Sequence, residues 1–502
     1  MALRKLNLLL VANRGEIALR IIRTARAMGI KTVAVYSEPD ASSAQVAAAD
    51  DSRLIGPAEA AKSYLNIAAI IATARETGAD AIHPGYGFLS ERPDFARAVD
   101  DAGIIFVGPR AAVMAQLGDK VAARKLAIAS GVPVVPGIET AEPAAARAFA
   151  AREGYPILVK AAAGGGGRGM RVVEAEAGLE AALEAASREA LAAFGDGRVF
   201  VEKYLARPRH VEVQFLGDEH GTIVTMGERD CSIQRRHQKI VEESPAPGLS
   251  APTRDAMLAA ATRLAQSAGY TNAGTAEFLV EGDKFYFLEV NARLQVEHPI
   301  TEIRFGCDLV AEQIKIARGE KIADPGAPRG HAIECRINAE DAAAGFRPAT
   351  GTVLELRVPA GPGVRFDSHL TRGTTVGAYY DGLLGKLVTH GSDREQARAR
   401  MLGALDELAI LGVTNTAGFL RDVIASDAFA RADLSTRFIE EHFPVWPGQG
   451  HAATDAALIG AALTTVGALG ANSGASPASA PTSSADLSPW TALRGFELWR
   501  RP

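Results

Sequence analysis

Three observations predict a mixed α/β protein built from successive units. Residues 6–11, 17–28 and 32–36 read as buried strand, amphipathic helix and strand, a β-α-β unit of the doubly wound kind. From Asp119-Lys120 onward the pattern changes to strands joined by glycine-rich and polar connectors. From residue 331, short strands punctuated by Gly and Pro lead into one long helical pattern.

The bulk numbers fit this. The chain has 502 residues, of which 47% are hydrophobic and 23% charged, as in ordinary soluble proteins, with room for three or four domains of ~150 residues. A net charge of −5 argues against a nucleic-acid partner, which normally meets a basic excess. Cys231, Cys307 and Cys335 are far apart and form no Cys-x-x-Cys pair, so free buried thiols are expected rather than a zinc site or a disulfide framework. The first residues lack the apolar core of a signal peptide. The weakly apolar tract 456–470 falls short of the ~20 residues of a membrane span. A cytoplasmic chain without a membrane partner is expected.

In the first unit, Asn13-Arg14-Gly15-Glu16 makes the turn after the first strand. It lacks Gly-x-Gly-x-x-Gly, so no dinucleotide site is predicted. A strand at 79–82 runs into His83-Pro84-Gly85-Tyr86-Gly87-Phe88. Ligands favour such a strand's C-terminal edge, and a tight turn needing glycine dihedrals explains the loop equally well. A strand at 104–107 closes the unit.

In the second unit, residues 155–160 and 170–173 read as strands around Gly164-Gly165-Gly166-Gly167-Arg168-Gly169. A strand–glycine loop–strand hairpin is neither a Walker A nor a dinucleotide loop, both of which enter a helix. Its backbone N–H groups can lie over nucleotide phosphates, and Lys160 at the end of the entering strand favours that reading. Further strands are predicted at 198–205 and 210–215. The run 227–239 is dense in cations but carries Glu228 and Asp230. A surface basic patch is the default for it, and on an acidic chain a small anionic ligand fits better than nucleic acid.

Residues 285–298 hold most of the chemistry. At period two, Phe285, Phe287, Glu289, Asn291, Arg293, Gln295 and Glu297 share one face. That face turns from apolar to polar, as a strand running from a core into a cleft would. Glu289 and Asn291 offer hard oxygen ligands suited to Mg²⁺. Residues 275–280 read as the preceding strand. A three-residue turn, Glu281-Gly282-Asp283, puts Glu277 on the face of Glu289; a two-residue turn puts it on the wrong one.

The third unit has strands at 331–337, 351–356, 364–366 and 387–388, then a helix over 393–411 with Ser392 as N-cap and Glu395 three residues on. Residues 471–487 are rich in Ala, Ser and Pro and read as linker or disorder. Pro489-Trp490 opens an apolar segment.

Taken together, these motifs resemble the biotin carboxylase family of ATP-grasp enzymes, from about residue 6 to 443. The pieces that carry the resemblance are Ala12-Asn13-Arg14-Gly15-Glu16-Ile17-Ala18, His83 through Glu91, Gly164 through Met170, Glu228-Arg229-Asp230-Cys231-Ser232, Arg235-Arg236-His237-Gln238-Lys239, Gln295-Val296-Glu297-His298-Pro299 and Glu334 through Glu340. Gly274-Thr275-Ala276-Glu277-Phe278 looks like acyl-CoA carboxylase α-subunits of the methylcrotonyl-, propionyl- or acetyl-CoA type. The resemblance implies a Rossmann-like domain over 1–118, an ATP-grasp domain over 119–330 with its lid at about 135–204, and a mixed C-terminal domain over 331–446. Residues 447–502 would be a tail, with the possible opening of a linking domain.

The resemblance also implies the chemistry: ATP and bicarbonate give carboxyphosphate, which carboxylates N1 of a carrier-linked biotin. Lys120, Lys160, Gly166, Gly167, Glu202, Lys203, Leu205, His210, Gln234, His237, Glu277 and Glu289 match ATP-site positions. Glu277, Glu289 and Asn291 match ligands of Mg²⁺ (or Mn²⁺). Lys239, Arg293, Gln295 and Val296 match the bicarbonate site, Val296 through its backbone. Glu297 matches the base and Arg336 the group that stabilises the biotin enolate. Lys239, Arg293, Glu297 and Arg336 are thus the expected catalytic set. A homodimer, a biotinyl carrier and a carboxyltransferase subunit are the implied partners. No methionine has an adjacent lysine, so the Met-Lys-Met biotin acceptor is absent from these residues. Arg304 stands where the family has smaller, less charged residues, and crowding is expected there. The alternative reading is another ATP-grasp ligase forming an acylphosphate from a different carboxylate.

Overall fold

The structure is a computed structural model and describes residues 3–161, 170–194 and 197–448. The chain divides into Met1–Gly448 and Gln449–Pro502, and the second part lies outside the described residues together with the expected linker and linking-domain segment.

The first segment is doubly wound. Strands β1 (Leu8–Val11), β2 (Lys31–Ser37), β3 (Asp51–Gly56), β4 (Ala81–His83) and β5 (Ile105–Phe106) form a five-stranded sheet in the order β3-β2-β1-β4-β5. Its pairs are parallel. Both faces are covered, as parallel sheets require. Leu9 and Val11 pack with Ile17, Ile21 and Ile22 of α1 (Gly15–Ala27). Leu10, Val33 and Val35 pack on the other side with Ile70 and Phe95. Strand β3 has no sequence signal because it opens on Asp51-Ser52-Arg53; as an edge strand it pairs only with β2 and tolerates that polarity. At the C-terminal edge, Asn13 Nδ2 donates to the carbonyls of Pro84 (2.7 Å) and Tyr86 (2.8 Å), tying two loops together. Gly85 has φ +64°, and a Cβ there would meet Asn13 Nδ2 at 2.9 Å. The turn therefore requires glycine, and its Tyr86, Gly87 and Phe88 also line the cleft described below.

A four-stranded antiparallel sheet follows, ordered β6 (Gly137–Glu139), β9 (Val199–Lys203), β7 (Ile157–Ala161), β8 (Arg171–Val173). Strands β7 and β8 pair antiparallel from Ile157↔Val173 to Val159↔Arg171, the predicted glycine hairpin. Gly166 and Gly167 fall outside the described residues.

The main sheet has eight strands: β14 (Lys284–Asn291), β13 (Asn272–Glu281), β10 (Arg209–Gly217), β11 (Ile223–Arg235), β12 (Gln238–Ser244), β15 (His331–Asn338), then the strands Leu383–Gly391 and Val364–Ser368. It runs unbroken past residue 331, so the late strands extend the middle ones. Two expectations are corrected. The run 227–239 is for the most part no surface patch: residues 228–234 are buried within β11, Arg229 is 0% exposed, and only residues 236–238 are exposed. The late helix spans Arg394–Glu407 and is capped by Asp393, whose side chain accepts from Gln396 N (2.8 Å), not by Ser392. Its predicted end, Ala409–Leu411, is instead a strand paired with Glu355–Arg357. An apolar run continues a helical pattern in sequence, and only a pairing partner shows that it has left the helix. Arg304 is accommodated: Nη1 donates to Ser244 Oγ (2.8 Å) and Nε to the Gly330 carbonyl (3.1 Å).

Burial holds three histidines neutral. It pushes His83 down to about 3 and His369 down to about 4, and His298 lies well below its ordinary 6.5. In the unfolded chain each takes a proton near 6.5, while the folded chain refuses it until far lower. Stability is therefore full above pH 6.5 and is lost as pH falls toward the folded values, by up to about 1.4 kcal/mol per pH unit per histidine. The urea midpoint is expected to drop between pH 7.5 and 5, and His369→Gln to flatten part of that slope. A midpoint that does not move over this range contradicts the account.

Candidate active site

A cleft of ≈ 2390 Å³ is lined by Asn13, Arg14 and Tyr86 from the first segment and by Lys120, Lys160, Glu202, Leu205, His210, Gln234, His237, Lys239, Glu277, Glu289, Asn291, Arg293, Gln295, Val296 and Arg336. These are most of the residues that the sequence pointed to. Lys203 is the exception among the described ATP-site candidates: it ends β9 with its N–H on the Pro136 carbonyl (3.0 Å), and its side chain does not line the cleft.

The floor is a row of charge. Arg229, Glu212, Glu277 and Glu289 stand directly opposite one another across β11, β10, β13 and β14, so they share one face. This register has an unexpected origin. The turn between β13 and β14 has two residues, since Glu281 faces Lys284, and Phe278 still faces Phe287. A bulge at Leu288 then shifts the pairing so that Glu277 faces Glu289. The predicted three-residue turn is wrong, and the extra residue sits in the strand instead. The bulge also separates Phe287, registered with Phe278 in the core, from Glu289, registered with Glu277.

Three adjacent carboxylates repel unless cations intervene. Arg229 Nε donates to Glu212 Oε1 (2.6 Å). Lys239 Nζ donates to Glu212 Oε2 (2.5 Å), Glu277 Oε1 (2.7 Å) and Glu297 Oε1 (2.8 Å). His210 Nε2 lies 2.8 Å from Glu277 Oε2. Burial alone would raise the Glu277 carboxyl, but Lys239 and His210 hold it well below the usual range. The ligand-type atoms of Glu212, Cys231 and Glu297 also cluster within 4.8 Å, but Lys239 already bonds two of these residues, so that cluster reads as ion pairing.

Glu289 is different. Among the described residues no side chain pairs with it, and burial and the Glu277 charge raise its carboxyl. An anionic pair completed by the Asn291 amide oxygen fits a hard divalent cation. Asn291 Oδ1 accepts from Arg293 Nη2 (2.7 Å), and Asn291 Nδ2 donates to Glu277 Oε1 (2.8 Å).

Beyond Asn291 the strand ends and residues 292–297 form a bent loop, as the change in role along the sequence implied. Arg293 donates to Gln295 Oε1 (2.6 Å) and to Glu91 Oε2 (2.9 Å). Glu297, 0% exposed, is clamped between Lys239 and Arg336, whose Nη2 donates to Glu297 Oε2 (2.9 Å). Burial opposes its charge, yet Lys239, Arg336 and Arg229 hold it well below the usual range, so it is ionised at neutral pH. Arg336 is fixed by Glu242 (2.5 Å), which burial pushes up to about 7 against the pull of Arg336. Lys160 Nζ donates to Glu202 Oε1 (2.6 Å).

Sequence reasoning missed Glu212, Arg229, Glu242 and Glu91. The alternation of His210, Glu212 and Gln214 placed Glu212 on the face of His210, but nothing local revealed that Glu212 abuts Glu277.

An antiparallel β7–β8 hairpin whose Lys160 lines the cleft, beside a cross-strand carboxylate row, is the arrangement of an ATP-grasp enzyme. Three family profiles match: "Biotin carboxylase, N-terminal domain" over residues 5–114, "Carbamoyl-phosphate synthase L chain, ATP binding domain" over 119–324, and "Biotin carboxylase C-terminal domain" over 334–441. The biotin carboxylase of Pseudomonas aeruginosa is 49% identical over 438 residues, 86% of this chain and 97% of that one. The human mitochondrial propionyl-CoA carboxylase alpha chain is 46% identical over 87% of this chain and 61% of its own length. The biotin carboxylase domain dimer of Hydrogenobacter thermophilus 2-oxoglutarate carboxylase, solved with MgADP, ADP and bicarbonate, superimposes with a TM-score of 0.80 at 42% identity, covering 88% of this chain and 98% of that one. The chain belongs to the biotin carboxylase family.

Removing one member of a buried ion pair strands the other. Arg229→Met is expected to lower unfolding stability by about 3–5 kcal/mol, and Glu212→Gln with Arg229→Met to recover part of it. Urea denaturation measures both, and an unchanged midpoint for the single variant contradicts the arrangement.

Proposed function

We propose that this cleft carboxylates carrier-linked biotin with bicarbonate and ATP through carboxyphosphate, as the biotin carboxylase component of an acyl-CoA carboxylase. The observation that carries the reading is Glu297, a buried, ionised carboxylate between Lys239 and Arg336 and at the end of the loop bearing Arg293. Bicarbonate is a poor nucleophile until a base takes its proton, and two anionic substrates need cations to meet.

Arg293, Gln295, the Val296 backbone and Lys239 hold bicarbonate, and Glu297 takes its proton. Lys120, Lys160, Glu202, Leu205, His210, Gln234 and His237 hold the nucleotide, Lys203 contributing no side chain to the cleft, with the glycine hairpin excluding water from an acylphosphate that hydrolyses readily. Glu277, Glu289 and Asn291 would hold Mg²⁺ (or Mn²⁺), which supplies charge neutralisation at the phosphates. Arg336 stabilises the enolate of biotin. The same reading divides the chain at 1–118, 119–330, 331–446 and 447–502.

Relatives include chains of larger carboxylases, such as the propionyl-CoA carboxylase alpha chain, which supports a biotinyl carrier and a carboxyltransferase as partners. The Hydrogenobacter thermophilus dimer supports a homodimer. Among the described residues no helix is long and apolar enough to cross a membrane, which is consistent with a cytoplasmic site of action.

The test is ADP release with and without bicarbonate and free biotin. Turnover is expected to require bicarbonate and to rise with biotin; bicarbonate-independent turnover on another carboxylate sinks the assignment. Glu297→Gln should cut bicarbonate-dependent turnover by roughly 10²- to 10⁴-fold while leaving nucleotide binding by calorimetry nearly intact. Loss of nucleotide binding instead contradicts its role as base.

A further inference from the structure

Lys386 is fully buried on the strand Leu383–Gly391. It stands directly opposite Arg336 on one side and Asp367 on the other, so all three share a face. Its Nζ lies 3.2 Å from Glu16 Oε1, 3.2 Å from the Val296 carbonyl oxygen and 3.9 Å from Asp367 Oδ2. Glu16 comes from the first turn of α1, in the parallel-sheet segment. One ammonium thus joins the first segment, the late strands and the loop that carries the proposed base.

Three successive carbonyls of the loop are held by side chains. That of Leu294 accepts from Arg293 Nη1 (3.2 Å) and that of Gln295 from His298 Nδ1 (2.7 Å). A peptide unit is a rigid plane. The Gln295 carbonyl shares its plane with the Val296 N–H, so His298 sets the direction of that N–H. The Val296 carbonyl shares its plane with the N–H of Glu297, so whatever holds this carbonyl sets where the Glu297 side chain leaves the backbone. Arg336 and Lys386 are cross-strand neighbours, and they grip successive residues of the loop: Arg336 by the Glu297 carboxylate, Lys386 by the Val296 carbonyl.

We infer that Lys386, braced by Glu16, is a positioning residue that fixes the 296–297 peptide plane and thereby aims Glu297 at bicarbonate. This rests on the reading of the cleft as a bicarbonate site. Lys386 touches no reacting atom. Its burial is costly for an ammonium unless paired. Glu16 meets that need, and Asp367 is already taken by Arg365 (2.7 Å).

The test uses Lys386→Met and the charge-balanced pair Glu16→Gln with Lys386→Met, which leaves neither partner as a lone buried charge. Near-ultraviolet circular dichroism reports folding. In the folded double variant, kcat/KM for bicarbonate is expected to fall roughly 10- to 100-fold, the scale of a small misplacement of a reacting group, with KM for ATP nearly unchanged. A purely structural tie would instead move stability and leave that ratio alone, and wild-type bicarbonate kinetics in the folded double variant overturn the inference. Amide exchange of residues 294–298 gives a readout that needs no turnover. Faster exchange in the variant is expected, and unchanged protection overturns the inference even if bicarbonate proves not to be the substrate.

Discussion

The ammonium of Lys239 is the interaction on which the site depends. Glu212 and Glu277 are cross-strand neighbours, and Glu297 reaches the same point from the loop after β14; Lys239 bonds all three at 2.5–2.8 Å. Without it, buried carboxylates would share one dry space, and at least one would have to take up a proton. With it, both Glu297 and Glu277 remain ionised. Arg229 completes the balance from beneath, bonding Glu212 and also the Gln214 and Thr301 side chains.

The architecture serves that point from several directions. The continuous sheet brings Lys239 of β12 and Arg336 of β15 to opposite sides of Glu297. The helix His298–Phe305 starts immediately after Glu297, and its Glu302 is held by Arg20 from α1 (2.7 Å) and by Arg365 from the late strands (2.8 Å). The loop is therefore anchored at both ends, by a strand before Asn291 and by a pinned helix after Glu297. Arg293, at its middle, is steadied by Glu91 from the loop after β4. The site's members come from parts of the sequence as far apart as Glu91 and Arg336.

The composition of the cleft also separates two kinds of cation. Lys239, Arg229 and Arg336 are spent on carboxylates in the floor. Lys160 is only half-buried and bonds Glu202 near the glycine hairpin, where an exchange of Glu202 for a phosphate costs little. Lys120, at the start of the helix Lys120–Ala129, is exposed and acts on the raised carboxyl of Glu289 in the lowering direction. Buried cations set protonation states, Lys239 and Arg336 keep a small exposed part toward the cleft, and Lys120 and Lys160 are the accessible ones.

The sequence by itself determined the class of fold, the hairpin of β7 and β8, and the set of residues of which most line one cleft. These rest on local period, turn chemistry and motifs that a short window contains. It did not determine the register that makes the carboxylate row. A two-residue turn at Gly282-Asp283 gives one parity and a bulge at Leu288 restores the other, and no local preference marks a bulge at a leucine. Nor did it reveal Glu212, Arg229 and Glu242 as partners of the site, or the polar edge strand Asp51–Gly56. Only the tertiary structure decided these, because each depends on which residue lies across the next strand: a buried charge has meaning only through the partner that the fold brings to it.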